Sequence, residues 1–590
     1  MEYITGNDLY EMFHYGSVHI LKKRKNLNEI NVFPVADKDT GNNLASTLQA
    51  ITRESDKNIS FHYALESISE SALYGARGNS GVIFAQFVNG LRVASNGKEK
   101  VTIEEFAAMV NESVKYTYAS LANPVEGTML TVIKDWANSL IDIVKKKITD
   151  AKSVFNQALQ FAKKSLERTK EKLQVLKKND VVDSGAMGFV LFLEGINSYY
   201  NNEVIERIDY DNVEIDDQDV HSEESVNFRY CTEGLVKVEG SFDELDLRQT
   251  LNQFGDSLII AKGLNIFRIH IHTNYPEKVF QILSLYGKVL NQKVDNMILD
   301  INLDKSTKKT VIVTDSIADL DQSIIDNNNV VVIPIFITVD EVEYFDKLTM
   351  NNEIMFDLIP RIKEYPSTSI PSVQHVYKLF QRLTNKFEEV VLITVSSKLS
   401  ATHNILATEA RKLIAIGKKI YIIDSLNNSA TEGLLVKKAI DMLNEGKRGI
   451  DIYHTIEEMK NKTNILVCLD TFKYAAMGGR LPKAVGKVGD FFGMRPIMSL
   501  DKEGHGTAYG MAFSKKGITK KIKKIVLKEL KKNNIDSYSI VHCLNEPLAK
   551  EYEKIFTEII GKKPEYIAKT SSAIALHSGV GTVAIGYIKE

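Results

Sequence analysis

Asn31-Val32-Phe33-Pro34-Val35-Ala36-Asp37-Lys38-Asp39-Thr40-Gly41-Asn42-Asn43 is the stretch from which the rest of the chain is read. Asp37 and Asp39 stand one residue apart, Gly41 and two amides follow, and Pro34 keeps the segment out of helix. Carboxylates this close repel each other, so a fold tolerates them best with a divalent cation between them. Gly41 lets backbone approach whatever the cation carries. That pattern suggests Mg²⁺ with a phosphate ligand. An Asx-turn loop with solvated acids would use the same residues, and this segment alone does not separate the two.

A second run, GARGNSG (75–81), opens directly into the apolar VIFAQFV (82–88). Glycines ahead of a helix start leave N–H groups that can hold phosphate oxygens. No Gly-Lys-Ser/Thr follows, so this is not a Walker A loop. A plain turn with Ser80 as N-cap is the other reading. NPVEGTM (123–129) and DSGAMG (183–188) sit likewise at junctions of helical-looking segments. Four small-residue loops separated by helices fit a bundle whose one end grips a nucleotide.

NVFPVADKDTGNN, GARGNSG, NPVEGTMLT and VVDSGAMG resemble the four signature segments of the DhaL-type kinase domain. The resemblance is closest to the catalytic subunit of bacterial fatty acid kinase. It implies an all-α, antiparallel helical barrel over residues 1–203 with Mg-ATP at its mouth. Asp37 and Asp39 are then the catalytic acids that hold Mg²⁺, with Asn31 as a further ligand. Asn79, Ser80 and Gly81 wrap the phosphates, Thr40, Asn43 and Thr128 neighbour the nucleotide, and Asp183 lies in the closing loop. One residue departs from the pattern: the family usually has glycine where this chain has Lys38. Its cation either reaches a phosphate or crowds the metal.

The chain has 590 residues, which sets an expectation of three or four domains. Hydrophobic content of 44% and charged content of 25% are ordinary for globular protein. A net charge of −2 gives no reason to expect nucleic acid. No apolar run approaches the ~20 residues needed to span a bilayer, and MEYITGNDLYEMF is too acidic and too broken for a signal peptide. Cys231, Cys468 and Cys543 lie far apart with no CxxC pair, as expected of reduced thiols in a cytoplasmic setting.

Residues 1 to about 200 read as mostly helical, with one amphipathic helix over 103–121 and one long lysine-rich helix over 151–176. An acidic stretch within 204–227 reads as a linker. A small α/β middle domain is expected over 228–303, with strands near 234–239, 257–262 and 265–272 and helices near 242–254 and 276–285. A polar joint at 304–309 precedes a long α/β region over 304–590.

FRIHIH (267–272) alternates, so in a strand His270 and His272 face the same side. Two histidines at that spacing can chelate Zn²⁺ with Cys231 supplying a thiolate. A pair of strand histidines and a buried free cysteine is the plainer reading. YCTEG and IHIHTN resemble segments of the fatty acid kinase middle domain, where the matching cysteine and histidines form a zinc site. By that resemblance His270 and His272 join the catalytic set, and three ligands leave a position open for a carboxylate or phosphate.

The last region begins with a buried-strand pattern, TVIVT (310–314), followed by strand patterns near 330–337, 390–395 and 419–423. Asp315-Ser316, Ser396-Ser397 and Asp424-Ser425 fall where ligands gather, at carboxyl ends of parallel strands. VIVTDSIADL, STSIPS, VSSKLSATHN, IDSLNNSATEGLLV, MGGRLPKAVG and ALHSGVG resemble the DegV family of fatty-acid-binding proteins. The resemblance implies two α/β lobes closing over an acyl tunnel. Thr368 and Ser397 would hold the carboxylate, with Ser369 and Ser400 near them and Arg480 and His577 as polar partners. Ile370 and Val580 depart from the glutamine and proline frequent in the family.

The halves fit one scheme, in which ATP phosphorylates a carried fatty acid to an acyl phosphate for phospholipid synthesis. A kinase for a small hydroxylated ketone and a non-catalytic lipid carrier are the alternatives. A homodimer is expected. The lysine-rich 515–532 interleaves with Ile518, Ile522, Ile525 and Leu530, which fits core packing with a solvated basic face. Docking to an anionic membrane or an acidic acyltransferase is the other reading.

Overall fold

The computed structural model describes the chain except residues 1–2, 34–37, 56–59, 122, 207, 209–225, 241, 371 and 481–492 and the side chain of residue 54. Asp37, most of the expected linker and the LPKAVG of MGGRLPKAVG thus lie outside the described residues. The rest forms two compact units, Met1–Ile301 and Asn302–Glu590.

Among the described residues the first unit opens with ten helices: α1 (Gly6–Glu29), α2 (Thr40–Glu54), α3 (Phe61–Gly75), α4 (Gly78–Ser95), α5 (Ile103–Ala119), α6 (Met129–Lys145), α7 (Ala151–Glu167), α8 (Thr169–Lys172), α9 (Gln174–Asn179) and α10 (Ser184–Tyr200). Each of α1 to α7 packs on the next, α7 packs on α10 and α10 returns to α1, so the helices close a ring. Closure depends on two glycines, because a Cβ on Gly195 would lie 2.5 Å from Gly16 Cα. The interior is aromatic. Phe13, Phe84, Phe87, Trp136, Phe189 and Phe192 meet at centroid separations of 5.0 to 6.4 Å, mostly edge to face.

The single helix expected over 151–176 is three pieces, α7, α8 and the start of α9. Buried Thr169 accounts for the break: its hydroxyl donates to Leu166 O at 2.7 Å and accepts Asp183 N–H at 3.1 Å, tying the chain back to the loop before α10.

A four-stranded antiparallel sheet follows, β1 (Tyr230–Val238), β2 (Gly255–Lys262), β3 (Ile266–Thr273) and β4 (Gly287–Asn296), in the order β2-β3-β1-β4. Helix Pro276–Leu283 covers one face through Phe280 and Leu283, and α4 lies against β2 and β3 on the other. Every residue of β3 is consequently buried. Strand β4 has no counterpart in the sequence reading, because a polar, half-exposed edge strand carries little alternation. Helix Met297–Lys305 takes the first residues of the expected joint.

In the second unit a parallel sheet runs Ile420–Asp424, Glu389–Thr394, Thr310–Asp315, Val331–Ile333. The strand expected over 330–337 is two, in different sheets, divided at Pro334, which has no N–H to give a ladder. A three-stranded sheet holds Val342–Phe345, Phe336–Val339 and Ser367–Ser369. The six-stranded sheet is antiparallel except for its last pair, Ile535–His542 with Ile567–Lys569. Helix Lys515–Leu530 buries Ile518, Ile522 and Val526 and leaves its lysines largely outside. Among the described residues no helix is long and apolar enough to cross a membrane.

Candidate active site

A cavity of about 340 Å³ in the first unit is walled by the starts of α2, α4, α6 and α10 and by one face of the sheet. Helix starts present positive partial charge and N–H groups without intrahelical partners. Away from this cavity, α1, α5 and α7 are capped by Thr5, Thr102 and Asp150. At the cavity, α2, α4 and α6 have no cap from their own N-cap side chains, as is also true of α3 elsewhere, while Asn28 Oδ1 accepts Gly41 and Asn42 N–H at the α2 start and Asp183 caps α10. Four helix starts converging on one space suit a polyanion.

Asp39 enters at the α2 end. Its Oδ1 accepts from Asn31 Nδ2 at 3.2 Å and its Oδ2 from Asn43 Nδ2 at 2.5 Å. Gly78, the first residue of α4, has φ +52°, and a Cβ there would lie 2.0 Å from Asn43 Nδ2. Only glycine fits that turn. Next to it Asn79 Oδ1 and Ser80 Oγ are buried without a partner among the described residues. Asp183 caps α10 by accepting Ala186 N–H at 2.7 Å, and burial pushes its carboxyl up to about 7.

Of the residues singled out in the sequence, Asn31, Asp39, Thr40, Asn79, Ser80, Thr128 and Asp183 line the cavity. Asn43 stands behind Asp39, and a Cβ on Gly81 would meet Thr47 Oγ1 at 2.6 Å, so Gly81 serves the packing of α4 on α2. Lys38 is exposed with φ +53°. A carboxylate, unpartnered buried acceptors and convergent helix starts are a donor set that fits Mg²⁺ with a nucleotide's phosphates.

The opposite wall is the sheet. In the β1–β3 ladder Cys231 pairs with His272 and Glu233 with His270, so all four share a face. Ligand atoms of Cys231, His270 and His272 lie within 4.8 Å of one another, and all three residues are buried. Cys231 Sγ is 3.9 Å from His270 Nδ1, and His270 Nε2 is buried without a partner among the described residues. A bulge in β2, where Ser257 takes φ +56°, sets Asp256 Oδ1 3.7 Å from His272 Nδ1. One thiol, two imidazoles and an unpartnered ring nitrogen fit zinc.

Glu233 and Arg268 are absent from the sequence reading, although YCTEG and FRIHIH place both on this face by alternation. Glu233 Oε2 accepts from Arg268 Nη2 at 2.9 Å, and Oε1 lies 3.4 Å from His270 Nδ1. Burial works to raise the Glu233 carboxyl, but His270, Arg268 and Lys293 outweigh it and hold the group well below the usual carboxylate range.

The lipid-site expectations fall in the second unit. His577 and Arg480 are neighbours: a Cβ on Gly478 would lie 2.2 Å from His577 Nδ1, and Arg480 Nη1 donates to Gly478 O at 3.2 Å. Burial, with the Arg480 charge behind it, pushes the His577 imidazole down to about 4. Tyr365 donates to Leu576 O at 2.5 Å and so holds the segment before Thr368 to the helix of His577. Thr368 pairs with Ile337, and Ser369 Oγ donates to Glu343 Oε1 at 2.7 Å. Ser397 N–H donates to Asp424 Oδ1 at 3.1 Å, and Ser400 Oγ lies 2.8 Å from Thr402 Oγ1.

Three family models match the chain: the DAK2 domain over residues 34–198, the FakA-like middle domain of fatty acid kinase over 227–302, and the uncharacterised DegV protein family over 309–590. An uncharacterized protein of Staphylococcus epidermidis is 33% identical over 306 residues, 50% of this chain and 55% of its own length. An uncharacterized protein of Staphylococcus aureus is 34% identical over 306 residues, 50% of this chain and 56% of its own length. The chain thus spans about half the length of the curated relatives it matches. Among solved structures, a DegV family protein from Thermus thermophilus, described by its fatty acid binding, has a TM-score of 0.44 at 21% identity over 48% of this chain and 100% of its own. A fatty acid binding DegV family protein from Streptococcus agalactiae has a TM-score of 0.43 at 22% identity over 48% and 100%.

Proposed function

We propose that this chain, which joins a DAK2 domain, a FakA-like middle domain of fatty acid kinase and a DegV region in one polypeptide, uses ATP to phosphorylate a fatty acid carboxylate that its DegV region carries. The product is an acyl phosphate suited to phospholipid synthesis. One observation carries the reading: the cavity joins a phosphate-side wall, with Asp39, Asn79 and Ser80, to a thiol–imidazole wall, with Cys231, His270 and His272.

A carboxylate is ionised at neutral pH and attacks the terminal phosphorus of ATP without a general base; as the new O–P bond forms, the bond to the β,γ-bridging oxygen breaks and ADP leaves. What the protein supplies is position and charge neutralisation. The starts of α4 and α6 line the cavity; Glu233 takes the Gly78 N–H and Asp183 that of Met129, so the N–H groups that follow them would serve the phosphates, with Asn79 and Ser80 adding side-chain contacts. Mg²⁺ held by Asp39, together with Asp37, would offset the charge of the terminal phosphates. Zinc held by Cys231, His270 and His272 would offer an open position that attracts the acyl carboxylate. In the DegV region, Arg480 supplies the cation for the bound carboxylate and neutral His577 a hydrogen bond. Each buried CH₂ of the chain contributes ~0.8 kcal/mol, a gain that a membrane matches. Selectivity therefore comes from tunnel length and the carboxylate contacts.

The lysine face of helix Lys515–Leu530 borders an open groove of about 1170 Å³ that Leu527, Leu548 and Ile555 also line. An anionic surface, such as the headgroups from which fatty acid is drawn, complements it.

Purified protein incubated with Mg-ATP, oleate and hydroxylamine tests the reading. Acyl hydroxamate is expected. Phosphorylation of dihydroxyacetone in its place would move the substrate to a small ketone, and oleate retained without turnover would reduce the chain to a carrier.

A further inference from the structure

The first half of the GARGNSG run, where α3 passes into α4, is held on both sides by the sheet. Where α3 finishes, Arg268 Nη1 donates to Leu73 O and to Tyr74 O, both at 3.3 Å. Where α4 begins, Gly78 N–H donates to Glu233 Oε1 at 2.7 Å. Only residues 75–77 lie between the two anchors. Arg268 and Glu233 are bonded to each other at 2.9 Å and are 2% exposed or less, so the clamp is one buried unit.

The oxygen that takes Gly78 N–H also faces His270. Paired with Arg268, the carboxylate can only accept, so His270 places its proton on Nδ1 and leaves Nε2 with a lone pair. That Nε2 is the buried ring nitrogen without a partner. A ligand on Nε2 fixes the ring and keeps Nδ1–H on Glu233 Oε1. The same oxygen then holds Gly78 in its left-handed turn, against Asn43 and hence against Asp39.

We propose that Glu233 couples the two walls of the cavity, so that zinc on the Cys231-His270-His272 cluster tightens binding of a Mg-nucleotide, and the nucleotide tightens zinc. The inference rests on reading the cavity as a nucleotide and metal site, and it needs no statement about the acyl substrate. Glu233 is a positioning residue: it acts through His270 and through the Gly78 turn.

The test uses the full chain stripped with a chelator, a non-hydrolysable ATP analogue with Mg²⁺ followed by calorimetry, and zinc content by plasma mass spectrometry. In the unaltered protein, saturating zinc is expected to tighten the analogue about tenfold, and the analogue to tighten zinc by the same factor. In Glu233→Gln, zinc still loads to about one per chain at saturation and the analogue still binds, but the mutual effect drops below about twofold. If that variant does not fold, Glu233→Gln with Arg268→Gln, which removes both buried charges together, takes its place with the same expectation. Coupling below twofold in the unaltered protein, or full coupling surviving in the variant, overturns the proposal and leaves the nucleotide site standing. Failure of the analogue to bind with or without zinc overturns the site reading and this proposal together.

Discussion

Cys231 stands directly opposite His272 in the antiparallel pairing of β1 with β3, and a two-residue step along β3 adds His270 to the same face. Rigid strands hold these groups, so the cluster needs little rearrangement to accept an ion. Cys231→Ser and His272→Ala should each weaken zinc binding at least about a hundredfold, since each removes a ligand from a set of three. Zinc content after gel filtration is the readout. Unaltered protein that takes up no zinc from micromolar free ion would sink the assignment.

Asp39 is held by two amide donors, Asn31 and Asn43. Asp39→Asn keeps the shape and removes the charge. Turnover with Mg-ATP should fall by about a hundredfold or more, as for loss of an electrostatic group at a transferring phosphoryl. Retention of fluorescent fatty acid should be unchanged, because the DegV region lies in the other unit. Parallel loss of both activities would point to misfolding and not to the metal.

Two left-handed residues should respond in opposite directions. Gly78→Ala puts a methyl 2.0 Å from Asn43 Nδ2 at φ +52° and should destabilise the first unit by more than about 1–2 kcal/mol, with loss of nucleotide binding. Lys38 has φ +53° but is exposed, so Lys38→Gly relieves strain without opening a hole and should stabilise by about 1 kcal/mol. Denaturation followed by the fluorescence of Trp136, the chain's one tryptophan, reads the first unit alone. Turnover unchanged or raised in Lys38→Gly would also show that this lysine does not serve a phosphate.

The helix-start loops and the histidine pair were legible because glycine and strict alternation report backbone geometry directly. Closure of the helical ring was implied by resemblance alone, since nothing local to Gly16 or Gly195 signals that they meet. Glu233 was hidden for a different reason. Alternation puts Glu233 on the face of Cys231, but a lone glutamate in YCTEG reads as a solvated strand residue, and its pairing with His270 and the buried charge of Arg268 are what make it a buried partner. Strand β4 and the break at Thr169 were missed because an edge strand and a side-chain tether carry no periodic signal.

Lys520, Lys524 and Lys528 recur every four residues and are exposed along one stripe of helix Lys515–Leu530. Each contributes about 1 kcal/mol near an anionic leaflet. Reversing all three to glutamate should abolish cosedimentation with vesicles rich in phosphatidylglycerol, and salt near 0.5 M should do the same to the unaltered protein. Vesicle binding that ignores both changes would leave the basic face as plain solvated surface.

Asp183 makes stability depend on pH in a direction opposite to the usual carboxylate. Burial holds its carboxyl up to about 7 in the folded protein, while in the unfolded chain it ionises near 3.8. Between those values the folded state binds more protons, so stability falls as pH rises through the window and levels off above 7. A shift of this size amounts to about 4 kcal/mol at most. Asparagine caps a helix as well as aspartate and cannot ionise. Asp183→Asn should therefore flatten the Trp136 unfolding profile between pH 4 and 7 and be the more stable protein at pH 8 when no nucleotide is present. A cation in the cavity favours the ionised form, so Mg²⁺ added without nucleotide should narrow the gap at pH 8 in favour of aspartate. An Asp183→Asn profile that keeps the original slope would mean this carboxyl ionises at its ordinary value and contributes nothing to the pH dependence of the barrel mouth.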